Sequence, residues 1–272
     1  MVMQILAEKC GLQFYMFPHF KASGKVIHGF TTRSNGVSET PFKSLNTAFH
    51  VGDKEQNVRA NRKLACEALG INPADLVAGS QIHGDRIEIV GLKERGRGAL
   101  SGQSSLPGTD ALVTGVAGVP LSSYYADCVP VYLFDPQKKV VAVAHAGWKG
   151  TALRIAGKTL KRMTDHFGVE PRNCLAGIGP SVGPCCYEVD KRVLEPFRES
   201  FPEIEDLAVS TSPGRWRLDL WAANRRTLLD AGLRAENIVI SRICTSCNRK
   251  KFYSYRAEGG NTGRMAALIM LK

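Results

Sequence analysis

Two histidines and a cysteine carry the strongest chemical potential in this chain. His83, Cys128 and His145 supply two imidazoles and one thiol. Three nitrogen and sulfur donors, with a fourth position left to water or substrate, make the ligand set of a catalytic zinc ion. The intervals between them, 45 and 17 residues, form no motif. Each residue therefore also fits a satisfied half-buried His or a small buried Cys. Asp127 sits beside Cys128 and offers a general base, an orienting carboxylate, or simply a turn or cap residue. Gly147-Trp148-Lys149-Gly150 combines a flexible turn with a positive charge. Lys149 and the amides opening the next helix could attract an anion, or mark a plain helix entry.

Other cysteines are harder to assign. Cys244-Thr245-Ser246-Cys247 is a CxxC with no second CxxC in the chain, which argues against a zinc ribbon. Cys185 and Cys186 are adjacent, a geometry too strained for a disulfide between them. Both pairs read as structural or partly exposed thiols. The chain holds no GxGxxG opening a helix, no Walker A loop and no HExxH, so those nucleotide and metalloprotease signatures are excluded.

The elements that must position these groups are legible in outline. Short apolar runs bounded by turn residues predict buried strands over 129–134 and 140–144, joined by the turn Asp135-Pro136. The second run rises into His145, and helical spacing of Leu153, Ile155, Ala156, Leu160 and Met163 predicts a helix over 150–167, ended by Gly168. Further strands are expected at 175–178, 236–243, 252–256 and 265–271, and a helix at 219–230. Turn formers crowd 93–108 and predict an internal loop. Interleaved strands and helices without a strict βαβ rhythm point to a mixed α/β fold.

The chain has 272 residues, 44% of them hydrophobic and 22% charged, enough to bury a large core. The expectation is one catalytic domain over residues 1–272. No apolar run approaches about 18 residues, which predicts no membrane-spanning helix. Residues 1–20 contain Glu8, Lys9 and Cys10 and no long apolar core, so no secretory signal is expected. Eight cysteines without such a signal suggest reduced thiols and a cytoplasmic location. The net charge of +11 is scattered, its densest cluster being Arg249-Lys250-Lys251. With no RNA-binding or zinc-finger signature, anionic small molecules are the expected partners rather than nucleic acid or membrane.

Several blocks in order carry a resemblance. They are Phe30-Thr31-Thr32-Arg33-Ser34-Asn35-Gly36-Val37-Ser38, Ser44-Leu45-Asn46, His50-Val51-Gly52-Asp53, Gln81-Ile82-His83 and Gly108-Thr109-Asp110-Ala111-Leu112. Then come Ala126-Asp127-Cys128-Val129-Pro130, Ala144-His145-Ala146-Gly147-Trp148-Lys149-Gly150, Gly177-Ile178-Gly179-Pro180, Gly183-Pro184-Cys185-Cys186-Tyr187-Glu188-Val189 and Phe252-Tyr253-Ser254-Tyr255-Arg256. From about Gly29 to the C-terminus the chain resembles the YfiH family, also called the laccase-domain, multicopper polyphenol oxidase or peptidoglycan editing factor family. Its members resemble purine nucleoside phosphorylases, with adenosine deaminase and methylthioadenosine phosphorylase activity also attributed to them.

The resemblance implies a single α/β domain with mixed β-sheets flanked by helices. It also implies zinc held by His83, Cys128 and His145, copper being the alternative ion. The expected partners are a nucleoside (adenosine, inosine or S-methyl-5′-thioadenosine) and phosphate. Arg33, His50 and Lys149 are the candidates for phosphate or ribose contacts, and Asp127 for acid–base work. Ser34-Asn35-Gly36 departs from the commoner double-glycine loop without touching a ligand. Editing of a UDP-MurNAc–amino acid cell-wall precursor and copper-dependent phenol oxidation are the alternatives. Six histidines without an HxH pair weigh against the oxidase, whose copper sites use several His.

Overall fold

Two six-stranded sheets, stacked face to face and clad by helices on their outer sides, form the framework in the computed structural model, which describes residues 5–272. The first sheet contains β1 (Ile5–Lys9), β2 (Leu12–Met16), β3 (Val26–Thr31), β4 (Val77–Ala78), β7 (Leu121–Tyr125) and β15 (Met265–Leu271). The second contains β5 (Ile87–Ile89), β6 (Ala111–Thr114), β8 (Val129–Asp135), β9 (Val140–Ala146), β10 (Leu175–Ile178) and β14 (Ile238–Ile240). Their orders are β1-β2-β3-β15-β7-β4 and β14-β10-β8-β9-β6-β5. Both mix directions: β4 runs parallel to β7, β5 to β6 and β10 to β14, while the other pairs are antiparallel. The expected α/β class with mixed sheets and flanking helices is what the chain adopts.

Period-two alternation builds the layers. Tyr132 and Phe134 of β8, Val141 and Val143 of β9, and Met265, Ala267, Ile269 and Leu271 of β15 meet between the sheets. The alternate residues Val131, Leu133, Ala142 and Ala144 face α4 (Ile155–Phe167) and α6 (Leu220–Asp230), burying Ile155, Leu160, Met163 and Leu228. Ala266 and Leu268 face α2 (Glu55–Leu69) with Ala65, Cys66 and Leu69. Strands buried on both faces read as unbroken apolar runs, which is why β8, β9 and β15 stand out in the sequence. A small sheet of β11 (Glu188–Asp190), β12 (Ala208–Ser212) and β13 (Arg215–Leu218) lies beside α5 (Lys191–Ser200).

Three expectations change. The helix expected over 150–167 divides into α3 (Trp148–Ala152) and α4, because Arg154 takes φ 62 between them. The strand expected over 236–243 shortens to β14, preceded by a 3₁₀ turn at Ala235–Asn237. Residues 252–256 form turns rather than a strand, although Phe252 and Tyr253 are fully buried. Their backbone is held by side chains: Tyr253 N donates to Met265 Sδ and Arg256 N to Asp127 Oδ2. The 93–108 stretch is the expected loop. No helix among the described residues is long and apolar enough to cross a membrane.

Candidate metal centre

His83, Cys128 and His145 come from three places that only the sheet stacking unites. His145 stands near the end of β9. Cys128 lies where the chain crosses from β7 in the first sheet to β8 in the second. His83 sits in the loop between β4 and β5. One ligand atom from each lies within 4.8 Å of the others, and the two imidazole centroids are 4.9 Å apart. His145 is buried, Cys128 half-buried and His83 exposed, so the cluster is closed on one side and open on the other. His83 and Asp127 both hold left-handed backbone, at φ 63 and φ 85. Such conformations are costly outside glycine and gather at functional sites.

One carboxylate orients both imidazole ligands. Asp110, at the start of β6, is 2% exposed. Its Oδ1 lies 2.8 Å from His145 Nδ1 and accepts from His83 N at 3.0 Å, while its Oδ2 accepts from Gly84 N at 2.9 Å and Ile82 N at 3.2 Å. The contact at Nδ1 leaves Nε2 of His145 for the cluster, the usual carboxylate–histidine–metal relay. Burial opposes ionisation of Asp110, but the His145 ring and the loop amides hold its carboxyl below the ordinary range. Gln81 fixes the same loop from the other side, exchanging two hydrogen bonds with the Tyr124 backbone at 2.9 and 2.8 Å.

The donors are chemically prepared for a cation. Burial resists ionisation of the Cys128 thiol, yet His145 and His83 outweigh it and bring it down to about 6. Burial likewise disfavours imidazolium at His145, but the Cys128 sulfur and Asp110 push it up to about 9. The pair shares charge as thiolate and imidazolium. The thiolate is the form that binds metal, and uptake of an ion releases the imidazolium proton. Gly147 provides the clearance: a Cβ there would lie 3.0 Å from both Cys128 Sγ and His83 Cδ2. The donor types, their closeness and their buried carboxylate partner all fit a metal ion with an open coordination side.

That open side faces a cavity of about 1040 Å³. His50, Asp127 and Lys149 line it with the three ligands; Arg33 does not. Arg33 is committed elsewhere: Nη1 pairs with Glu258 Oε1 at 2.7 Å, and its guanidinium donates to the Lys43 carbonyl and covers the Tyr253 ring. It clasps the 33–44 loop to the 249–258 loop. The carboxylate of Asp127 is also largely occupied. Oδ1 accepts from Thr245 Oγ1 at 2.6 Å, and Oδ2 from Arg256 N at 2.6 Å and Ser254 Oγ at 3.0 Å. Burial raises its carboxyl, partly offset by these bonds. His50, whose ring is exposed at the cavity, is pushed down to about 4 by the protein crowded around it and then by the positive charge of Arg264.

Sequence reasoning passed over Asp110, Arg256 and Arg264. Asp110 and Arg256 fall within motif blocks but received no role. Arg264 carried no signal, since only the pairing of β15 with β7 and β3 brings it to the cavity. Arg264 Nη1 donates to the carbonyls of Thr262 and Gly263 at 2.6 and 3.0 Å; Asp127 and Cys128 attract its charge without touching it, and among the described residues no carboxylate forms a salt bridge with it. Tyr187, beneath the Arg256 guanidinium at 5.2 Å, and Trp148 add aromatic surface to the lining.

Residues 27–272 match the family described as multi-copper polyphenol oxidoreductase laccase. A protein named purine nucleoside phosphorylase YlmD, from Bacillus subtilis (strain 168), is 41% identical over 249 residues, spanning 91% of this chain and 89% of its own length. A protein named adenosine deaminase RL5, from an unknown prokaryotic organism, is 36% identical over 247 residues, spanning 90% and 94%. The crystal structure of YlmD from Geobacillus stearothermophilus aligns with a TM-score of 0.94 at 39% identity, covering 99% of both chains.

Proposed function

The chain belongs to the multi-copper polyphenol oxidoreductase laccase family, and from that premise we propose that it is a zinc-dependent purine nucleoside phosphorylase. Adenosine, inosine and S-methyl-5′-thioadenosine are the proposed substrates, with adenosine deaminase activity at the same centre. The observation that carries this reading is one cavity combining three convergent metal donors, a guanidinium outside any salt bridge, a neutral imidazole and aromatic faces. Its size suits a nucleoside with an anion beside it. The names borne by the similar proteins from Bacillus subtilis and the unknown prokaryote agree with it.

In phosphorolysis a phosphate oxygen forms a bond to the ribose anomeric carbon. The bond to the purine nitrogen breaks, and the base leaves with the electron pair. Guanidinium groups suit phosphate because their planar N–H forks can pair with two oxygens. Arg264 and Arg256 are the proposed phosphate holders, with Lys149 at the rim. Tyr187 and Trp148 offer faces for the purine. His50, neutral at pH 7, can donate a hydrogen bond to the departing base or relay its proton. Asp127 serves in this scheme by fixing the Arg256 backbone rather than by taking a proton. An ion held by His83, Cys128 and His145 supplies Lewis-acid stabilisation of a substrate oxygen or activation of water.

Copper also accepts imidazole and thiolate. Multicopper chemistry, however, needs several histidine-rich centres. Among the described residues the other cluster of metal-binding side chains is all cysteine.

The test is a substrate panel on metal-quantified protein. Free base and ribose 1-phosphate should form from inosine only when phosphate is present, aerobically or anaerobically, and ammonia should appear from adenosine without phosphate. Base release indifferent to phosphate, turnover only of a phenol with oxygen, or hydrolysis only of a muramyl–amino acid conjugate would each displace this reading.

A further inference from the structure

We propose that Cys185, Cys186, Cys244 and Cys247 hold a second metal ion, one structural zinc in an all-thiolate tetrahedral site. The four sulfurs lie within 4.8 Å of one another. Cys247 Sγ is 3.4 Å from Cys186 Sγ and 3.6 Å from Cys185 Sγ. Zinc bonds thiolate at about 2.3 Å, so the edges of a regular four-sulfur tetrahedron are about 3.8 Å. The cluster is thus already close to the size of a filled site. A disulfide would instead draw two sulfurs to about 2.05 Å and strand the others. Here Cys247 stands between two possible partners and all eight cysteines of the chain are free.

The topology explains how a vicinal pair meets a distant CxxC. β10 and β14 run parallel, so the chain leaves both at the same end of the sheet. The two exits stay in step through the Ser181–Cys244 bridge, where Ser181 N donates to Ile243 O at 3.2 Å and Thr245 N to Ser181 O at 3.0 Å. Each then turns back on itself. Cys186 N and Tyr187 N both donate to Gly183 O, and Asn248 N donates to Cys244 O. The two turns therefore lie side by side, each presenting two thiols. Gly183 is needed at this point because a Cβ would come within 2.6 Å of the Trp221 ring. Its own N–H points at Cys244 Sγ, 3.3 Å away, the kind of donor that stabilises a thiolate. The CxxC lacks a second CxxC, but its missing half is the adjacent pair.

Four thiolates around a dication leave two negative charges. Arg249-Lys250-Lys251 follow Cys247 on the same loop and Arg242 precedes Cys244, so the surrounding sequence is electrostatically suited to that anion. The first turn leads directly into Tyr187, and the second holds Thr245 against Asp127 at 2.6 Å. An ion here staples the loop that carries Tyr187 into the cavity wall to the loop that braces Asp127 from behind.

Zinc per chain decides the matter. Protein purified with reductant, loaded with zinc and freed of excess should hold two ions. Cys185→Ser/Cys247→Ser should hold one, and His83→Ala/His145→Ala should also hold one. A folding defect is bypassed in the unaltered chain: iodoacetamide should label the exposed Cys185 and Cys247 after chelation but not in zinc-loaded protein. Saturation at a single ion that is lost in His83→Ala/His145→Ala, with Cys185 and Cys247 labelled equally with and without zinc, would overturn the proposal. A disulfide from Cys247 persisting in the reduced, zinc-loaded protein would do the same. Either result leaves the His83, Cys128 and His145 assignment intact.

Discussion

Asp110→Asn is a nearly isosteric change that disturbs the centre without removing a ligand. The carboxylate accepts four hydrogen bonds: two at Oδ1, from His145 Nδ1 and His83 N, and two at Oδ2, from Gly84 N and Ile82 N. However the amide is turned, its NH₂ group faces two donors. One escape is for the His145 ring to accept at Nδ1, but its proton then moves to Nε2, the atom needed by the metal. Two bonds to a charged acceptor, each worth about 1.5–3 kcal/mol, are therefore lost or inverted. Part of that loss falls on stability. The part expressed in metal binding follows from lost ligand orientation, which costs about 10–100-fold in affinity, or about 1.4–2.8 kcal/mol. Zinc affinity measured against a competing chelator should fall by that factor, and excess zinc should recover turnover. A zinc affinity within about twofold of the unaltered protein, in a variant that is folded by circular dichroism, would refute the reasoning.

Gly147→Ala should weaken zinc about tenfold with little change in melting temperature, since φ −66 suits any residue and only the ligands are crowded; unchanged zinc affinity would contradict the clearance argument. Arg264→Met should raise the phosphate KM about 10–100-fold, the value of one charge-assisted contact. Arg33→Met should lower the melting temperature and leave that KM alone, and a reversed pattern would return Arg33 to the anion site. His28 is buried, accepts Phe17 N through Nε2 at 2.8 Å and is pushed down to about 3, chiefly by burial and then by His19. Its folded value lies below its unfolded value of 6.5. The unfolded chain therefore binds the extra proton: stability is complete above about pH 6.5 and declines towards pH 3, by about 2 kcal/mol from this group at pH 5. His19, lowered to about 4, acts in the same direction. Urea midpoints for His28→Gln should therefore slope less with pH than those of the unaltered chain, and equal slopes would exclude His28.

What the sequence discloses and what it hides divide along physical lines. β8, β9 and β15 are legible because strands buried on both faces must be apolar throughout. The three ligands are nameable by residue type, yet their convergence depends on a chain crossing between sheets at Asp127 and Cys128, which spacing cannot express. Asp110 acquires its role only through the register that sets Ala111 opposite Ala144. The apolar, aromatic run at 252–256 is read as a strand because strand propensity largely reports burial, and here burial is served by turns tied to Asp127. Arg154 breaks a helix whose periodicity gives no hint of left-handed backbone. Asn35 shows the opposite case: at φ 66 it occupies the conformation that the commoner double glycine would serve, one that Asn tolerates.

The central claim is that His83, Cys128 and His145 hold the ion on which phosphorolysis depends. The most direct measurement pairs bound zinc with inosine phosphorolysis in His83→Ala, Cys128→Ala and His145→Ala, each shown to be folded. All three should lose one zinc per chain and their phosphate-dependent release of base together. Variants that keep their full zinc complement and their turnover would contradict the assignment.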